Sequence, residues 1–369
     1  MLSGVASASA TERFRQRFAS CDPGHFRPLQ DLWASSIGLG TYLGDADDRT
    51  DASYAEAIRS ALTLGCNLID TAINYRCQRS ERTIGAVLDA AVVDGLVARE
   101  EVILCTKGGY LPFDGQVPRD PARYIVDTVI NAGRASYEDI VAGCHCLSPT
   151  YLAHALETSL ANLRVQTIDL YYLHNPEQQL DEVSREIFLQ RLEAAFVLLE
   201  QRTQEGAIRH YGVATWNGLR CNPKSRGYLS LEALVELAAR VGGERHRFRA
   251  IQLPYNLAMP EACAFKNQTV GGEPMTVLEA AGRLNLSVMS SASLLQGQLI
   301  RLPVGLQDRI PGCATSAQRA LQFVRSTPGI TAALVGMKTC SHVEENLALV
   351  RYPRLAEEQI CNLFDRARR

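Results

Sequence analysis

Four residues, Asp70, Tyr75, Lys107 and His174, carry side chains suited to moving a proton to or from an oxygen. A free phenol has a pKa near ~10, too weak an acid for a carbonyl at neutral pH. A lysine cation beside it favours the phenolate and lowers that value. A carboxylate would hold the lysine charged and in place, and an imidazole would hydrogen-bond a substrate oxygen and orient it. Together the set suits protonating an oxygen while something else attacks the carbonyl carbon. Singly, each has an ordinary structural use: Asp70 as a turn cap, Tyr75 as loop packing, Lys107 as a solvated strand end, His174 as a histidine bonded to backbone. What sets them apart is that all four follow short apolar runs.

Residues 66–75 read CNLIDTAINY, where Leu68 and Ile69 end abruptly at Asp70. A carboxylate does not end a buried strand for packing reasons, because an unpartnered buried charge is very costly. Strands are expected over 37–42, 66–69, 102–106, 168–173, 211–214, 250–253, 286–289 and 331–335. Helices alternate with them. The first has Tyr54, Ile58, Ala61 and Leu62 on one face, with Asp51 as cap and Gly65 as stop. The second follows a Ser80-Glu81-Arg82 turn through Ile84, Val87, Leu88 and Ala91. Ser148 and Pro149 open a third as N-cap and first-turn proline. Others run from Ile187 to a stop at Gly206, from Ser230 through Leu237, over 277–284 and over 317–326, and two more, 341–350 and 355–368, close the chain. Eight such alternations predict a closed (β/α)8 TIM barrel, in which the four residues share the carboxyl-end rim where active sites are built. A dinucleotide fold of the other kind is disfavoured, since Gly38 and Gly40 lack the third glycine of its fingerprint.

The totals fit one barrel over 33–369 behind an N-terminal arm, 1–32. A formal net charge of -2 and a pI near 6.4 give no support for binding nucleic acid or an anionic membrane. No apolar run approaches the roughly 18 residues of a membrane span. Eleven cysteines, an odd number scattered singly, suit reduced thiols and a cytoplasmic location. The Ser-, Ala- and Arg-rich residues 1–20 could pass for a transit peptide, but 11–17 reads as a short polar helix. Adjacent side chains in Cys144-His145-Cys146 do not converge as zinc pairs do, so no metal is expected.

Five segments, IGLGTY at 37–42, IDTAINY at 69–75, TKGG at 106–109, IDLYYLHNP at 168–176 and GMKTCSHVEENL at 336–347, resemble the aldo-keto reductases. The resemblance spans roughly 37–350. It implies a barrel enzyme that reduces aldehydes or ketones with NADPH, the nicotinamide supplying a hydride that no side chain can. It assigns Tyr75 as general acid, Lys107 and Asp70 as its tuning pair, and His174 as the substrate-orienting residue. For the cofactor it implies Gly40, Thr41, Tyr42 and Asp70 on the rim, Gln252 for the carboxamide, and Leu294 past the seventh strand. Thr215 stands where the family has asparagine, and Ser291 where many members stack an aromatic ring, which leaves either another ring, Trp216, to cover the nicotinamide or a more loosely held cofactor. Gly336 leads into a helix N-terminus suited to an anion. Lys338 would pair with an adenosine 2′-phosphate, His342 replaces the family arginine there, and Glu345 and Asn346 match the adenine-side residues.

Between Lys107 and His174 lies an excess segment, 108–147, with Tyr110, Phe113, Tyr124 and Tyr137, expected as an ordered lid or wall of the substrate pocket. Residues 175–184 and 256–274 are expected to complete that pocket. His145 is a weaker candidate than His174. The implied partner is a small carbonyl compound. The sequence also admits two rival readings: a nicotinamide-binding regulatory subunit, and an NAD-dependent sugar or polyol dehydrogenase.

Overall fold

The computed structural model describes residues 1–307 and 309–365. Eight parallel strands close into a barrel: β1 Ile37–Gly40, β2 Leu68–Asp70, β3 Ile103–Gly108, β4 Ile168–His174, β5 Ile208–Ala214, β6 Phe248–Pro254, β7 Ser287–Ser291 and β8 Ala332–Gly336. Each pairs with its neighbours in sequence, and β8 returns to β1. One helix of the outer layer follows each strand: α1 Asp48–Thr63, α2 Arg79–Val93, α3 Pro149–Leu163, α4 Arg185–Gln204, α5 Leu231–Gly242, α6 Val277–Arg283, α7 Ser316–Ser326 and α8 Cys340–Leu347. The expected (β/α)8 barrel is therefore the observed fold.

Alternation along the strands divides the core in two. Leu68, Cys105, Leu170, Tyr172, Ala214, Ala250, Met289 and Leu334 fill the barrel interior. Outward residues such as Ile69, Leu104, Tyr171, Val213 and Ile251 pack against the helices. A hairpin of Phe26–Leu29 and Leu32–Ser35 joins the interior cluster through Leu29, Leu32 and Ala34. Ahead of it, a helix over Ala8–Arg17 is capped by Ser7 and buries Phe14 against Phe18 and Phe26.

Several local expectations shift. The cap of α1 is Asp47, whose carboxylate accepts from the Thr50 amide at 2.8 Å. Asp51 lies inside the helix instead and pairs with Arg76 and Arg79. Ser80, Glu81 and Arg82 lie within α2, not in a turn before it. The reason is that Glu81 accepts from Thr106 Oγ1 at 2.6 Å and Asn162 Nδ2 at 3.0 Å, which ties that stretch to β3 and α3. Ser148 occupies the N-cap of α3 without a capping hydrogen bond, its hydroxyl lying 3.3 Å from the Cys146 sulfur. The closing helix is Glu357–Asp365, starting two residues later than expected, and 366–368 of its expected span lies outside the described residues. Three short hairpins were not anticipated, because strands of two to four residues carry too little alternation to register.

One buried ion pair ties the N-terminal segment to the barrel. Asp169 accepts from the Ala6 amide at 2.7 Å with one oxygen, and from the Leu104 amide and Arg99 Nη2 at 2.8 Å each with the other. Both side chains are almost wholly buried, at 2% and 1% exposure. Removing one partner of such a pair strands the other charge. Asp169→Ala is therefore expected to cost about 3–5 kcal/mol in denaturant-induced unfolding. A loss below about 1 kcal/mol, the scale of a surface pair, would contradict this reading of the anchor.

Candidate active site

At the carboxyl ends of β2, β3 and β4 the barrel gathers the four residues singled out in the sequence. Lys107 sits inside β3, which runs one residue past it to Gly108, and its side chain is fully buried. Its ammonium donates to Asp70 Oδ1 at 2.6 Å, to the Thr71 carbonyl at 2.7 Å and to Tyr75 Oη at 3.4 Å. The second Asp70 oxygen accepts from Gln252 Nε2 at 2.8 Å. His174 ends β4, and its ring lies 5.9 Å from that of Tyr75, edge-on. The Tyr42 ring also packs edge-on to Tyr75, centroids 5.0 Å apart.

Tyr75 is followed by an unusual backbone. Arg76, Cys77 and Gln78 have φ of 50°, 56° and 70°, three successive non-glycine residues in the left-handed region. Each such conformation is strained and persists only where its surroundings hold it. Here Arg76 donates to the Asp45 carbonyl at 2.8 Å and pairs with Asp51. Gly115 donates to the Cys77 carbonyl at 2.9 Å, and Gln78 to the Phe113 carbonyl at 3.0 Å. Polar contacts from two loops thus fix the turn that leads away from Tyr75.

Electrostatics depart from the sequence expectation. Burial raises the Tyr75 phenol above its ordinary value, and this outweighs the opposing pull of Lys107. The expected net acidification is therefore corrected: the lysine restrains a rise caused by desolvation. Burial also works against the Lys107 charge, but Asp70 and Tyr75 prevail and raise its pKa. Burial, then Lys107 and His145, drive His174 well below the usual histidine range, leaving a neutral imidazole. Its Nδ1 is buried without a partner.

Asp70, Tyr75 and His174 open onto a cavity of about 780 Å³, with Lys107 behind them. Gly40, Thr41, Tyr42, Thr215, Gln252, Leu294, Gly336, His342, Glu345 and Asn346 all line it, together with Asp70, Tyr75 and His174. Thr215 Oγ1 and Asn346 Oδ1 are buried in its wall with no hydrogen-bond partner. Lys338 is not among the lining residues; its stem lies beside Gly44. The α8 N-terminus is capped by its own Thr339, which accepts from the His342 amide at 3.4 Å. Glu345 accepts from Thr315 at 2.6 Å. Trp216 and Ser291 both face the cavity.

The excess segment contributes less to the wall than expected. Tyr110 lines the cavity, whereas Phe113 and Tyr124 pair with each other at 5.6 Å and Tyr137 is exposed. From 175–184 only Asn175 lines the cavity, and no residue of 256–274 does. Asn256 instead donates to the Ala292 carbonyl at 2.9 Å, and Gln268–Val270 folds as a hairpin with Glu273–Met275. Asn74, beside Tyr75 and with a buried unpartnered Oδ1, was missed, although its neighbour marked the place. Among the described residues no cluster of His, Cys, Asp and Glu is placed to hold a metal ion. No described helix is long and apolar enough to cross a membrane.

A family model described as the aldo/keto reductase family matches residues 36–220, just over half of the chain. An uncharacterized oxidoreductase of Bacillus subtilis (strain 168), YqkF, is 24% identical over 336 residues, covering 89% of this chain and 92% of that one. A 6-dehydroglucose reductase of Novosphingobium aromaticivorans is 30% identical over 202 residues, 53% of this chain and 52% of that protein. Among solved structures, an aldo/keto reductase from Klebsiella pneumoniae in complex with NADP and acetate superposes with a TM-score of 0.60 at 22% identity, covering 91% of this chain and 92% of that one. The holo form of an aldo-keto reductase from Bacillus halodurans gives 0.62 at 20% identity, covering 92% and 95%. Identities this low establish the shared fold, while the family match spans Asp70, Tyr75, Lys107 and His174. The chain belongs to the aldo/keto reductase family of oxidoreductases.

Proposed function

We propose that the protein reduces an aldehyde or ketone to the alcohol with NADPH, Tyr75 acting as general acid. The observation that carries this reading is that Tyr75, Asp70 and a neutral His174 line one cavity, with the buried Lys107 ammonium bonded to Asp70 and 3.4 Å from the Tyr75 hydroxyl. Bound there, the nicotinamide would supply the hydride to the carbonyl carbon.

The residues present fit such a cofactor. The unpartnered Thr215 hydroxyl and Asn346 amide oxygen are buried groups awaiting a polar ligand. Gln252, already donating to Asp70, would bind the carboxamide, with Trp216 covering the ring. Gly40, Thr41, Tyr42, Leu294 and Gly336 would line the path toward Glu345 and Asn346 on the adenine side. For the 2′-phosphate the candidates are His342, which lines the cavity, and Lys338, whose stem lies beside Gly44. The bound NADP of the Klebsiella pneumoniae structure favours this choice.

At the reacting end, the raised Tyr75 pKa means the phenol holds its proton at neutral pH, the state an acid requires. A carbonyl oxygen between Tyr75 Oη and the His174 ring would be held by both. Neutral His174 donates a hydrogen bond without competing for the proton. As negative charge builds on that oxygen, the phenol proton passes to it. The phenolate left behind faces the Lys107 ammonium, whose charge Asp70 secures. That charge stabilises the product side of the transfer.

Tyr75→Phe keeps the ring and removes the proton. It is expected to lower kcat about 10²–10⁴-fold in a screen of aldehydes and ketones, with cofactor affinity preserved. Full turnover in that variant would contradict the assignment. Lys338→Ala separates the cofactors: it is expected to weaken NADP binding about tenfold or less, as for a partly exposed ion pair, and to leave NAD binding unchanged. Equal weakening of both would remove Lys338 from the phosphate site.

A further inference from the structure

The excess segment folds back onto the barrel in a way that a pocket cover does not require. Directly after β3, Tyr110 bridges antiparallel to His145, which also pairs with Val141 in the Ile140–Val141/His145–Cys146 hairpin. The Cys146 amide donates to the Gly109 carbonyl at 2.8 Å, and the Leu111 amide to the Cys144 carbonyl at 2.7 Å. This sets His145, a fully buried residue, against the end of β4. Its Nε2 lies 2.7 Å from the backbone carbonyl oxygen of His174.

A carbonyl oxygen only accepts, so His145 Nε2 donates in that contact, and the groups behind the ring agree. Arg191 Nη1, which can only donate, lies 2.5 Å from Gln179 Oε1. That fixes the orientation of the Gln179 amide, so its Nε2 donates to His145 Nδ1 at 2.8 Å. Burial lowers the His145 pKa to about 4, so the ring is neutral and carries one N–H. With Nδ1 accepting, the proton is on Nε2 and points at His174. Gly109 is the residue that permits this approach: at φ +138°, a Cβ there would meet His145 Nε2 at 3.0 Å and the His174 oxygen at 3.1 Å.

The position needs holding. Asn175, next in the chain, has φ of 45°, so the backbone turns left-handed immediately after His174. Tyr110 packs on the His174 ring, centroids 4.9 Å apart, and its hydroxyl accepts from Asn175 Nδ2 at 3.0 Å.

We infer that His145 is a positioning residue for His174, its Nε2–H fixing the carbonyl of the residue whose imidazole faces the substrate oxygen. The excess segment thus acts as a clamp on the proton-transfer site, with Arg191 and Gln179 setting the direction of the hydrogen bond. The kinetic part of this inference rests on the proposed carbonyl reduction; the hydrogen-bond part does not.

Two variants and one spectrum test it. His145→Phe fills the site without a donor, and His145→Gln offers an amide N–H in place of Nε2. His145→Phe is expected to lower kcat/KM for the carbonyl roughly 10–100-fold, with cofactor affinity unchanged, and His145→Gln to recover most of that loss. Unchanged kcat/KM in His145→Phe, or equal loss in both, would overturn the inference. If His145→Phe does not fold, Gln179→Leu replaces it: it leaves His145 in place, removes the amide that holds its ring and backbone against the end of β4, and is expected to lower kcat/KM. Unchanged kcat/KM there would likewise overturn the inference. In the wild-type protein without substrate, nitrogen NMR of labelled histidine is expected to show neutral His145 with its proton on Nε2. A proton on Nδ1 would overturn the inference even in an active enzyme. The expected tautomer together with no carbonyl reduction would instead overturn the proposed function.

Discussion

An ammonium group buried at the mouth of the barrel is the constraint around which the site is arranged. Lys107 is wholly enclosed, and a lone charge there would not be tolerated. Its cost is offset by Asp70 at 2.6 Å, the Thr71 carbonyl and the Tyr75 hydroxyl, all on β2 or the loop that follows it. Asp70 in turn is held by Gln252 from β6, four strands away around the barrel. That last hydrogen bond crosses the mouth and exists only because the sheet closes. Barrel closure, charge pairing and phenol placement are therefore one structural event.

The same burial has opposite consequences for the partners. It raises the phenol and lowers the imidazole, so both Tyr75 and His174 rest in their neutral forms. Lys107 keeps its charge because two neighbours favour it. A site with one fixed charge pair and two neutral hydrogen-bonding groups is well suited to meet charge that develops on a substrate oxygen.

Much of this was legible in the sequence because it depends on period and position. Short apolar runs alternating with helical patterns specify a parallel sheet, and eight of them a barrel, so Asp70, Lys107 and His174 had to reach one rim. The sign of the net shift at Tyr75 was not legible, since it depends on how much water the surrounding walls exclude. Nor was the left-handed turn at Arg76, Cys77 and Gln78, whose residue types give no hint of positive φ and which is held by contacts from distant loops. The excess segment announced itself by length and aromatic content. Its hairpin, with strands of two residues each, and the contact of His145 with the His174 backbone are tertiary facts with no local signature. Asp51 misled because a helix-capping residue type can also serve as an ion-pair partner inside the helix.

The most direct measurement is the titration of Tyr75 itself, followed by carbon NMR of ring-labelled tyrosine in the wild-type protein and in Lys107→Met. The account predicts a Tyr75 phenol still protonated above pH ~10 in the wild type and higher again once the lysine charge is gone. A Tyr75 that ionises below pH ~10, or whose titration does not move in Lys107→Met, would contradict it.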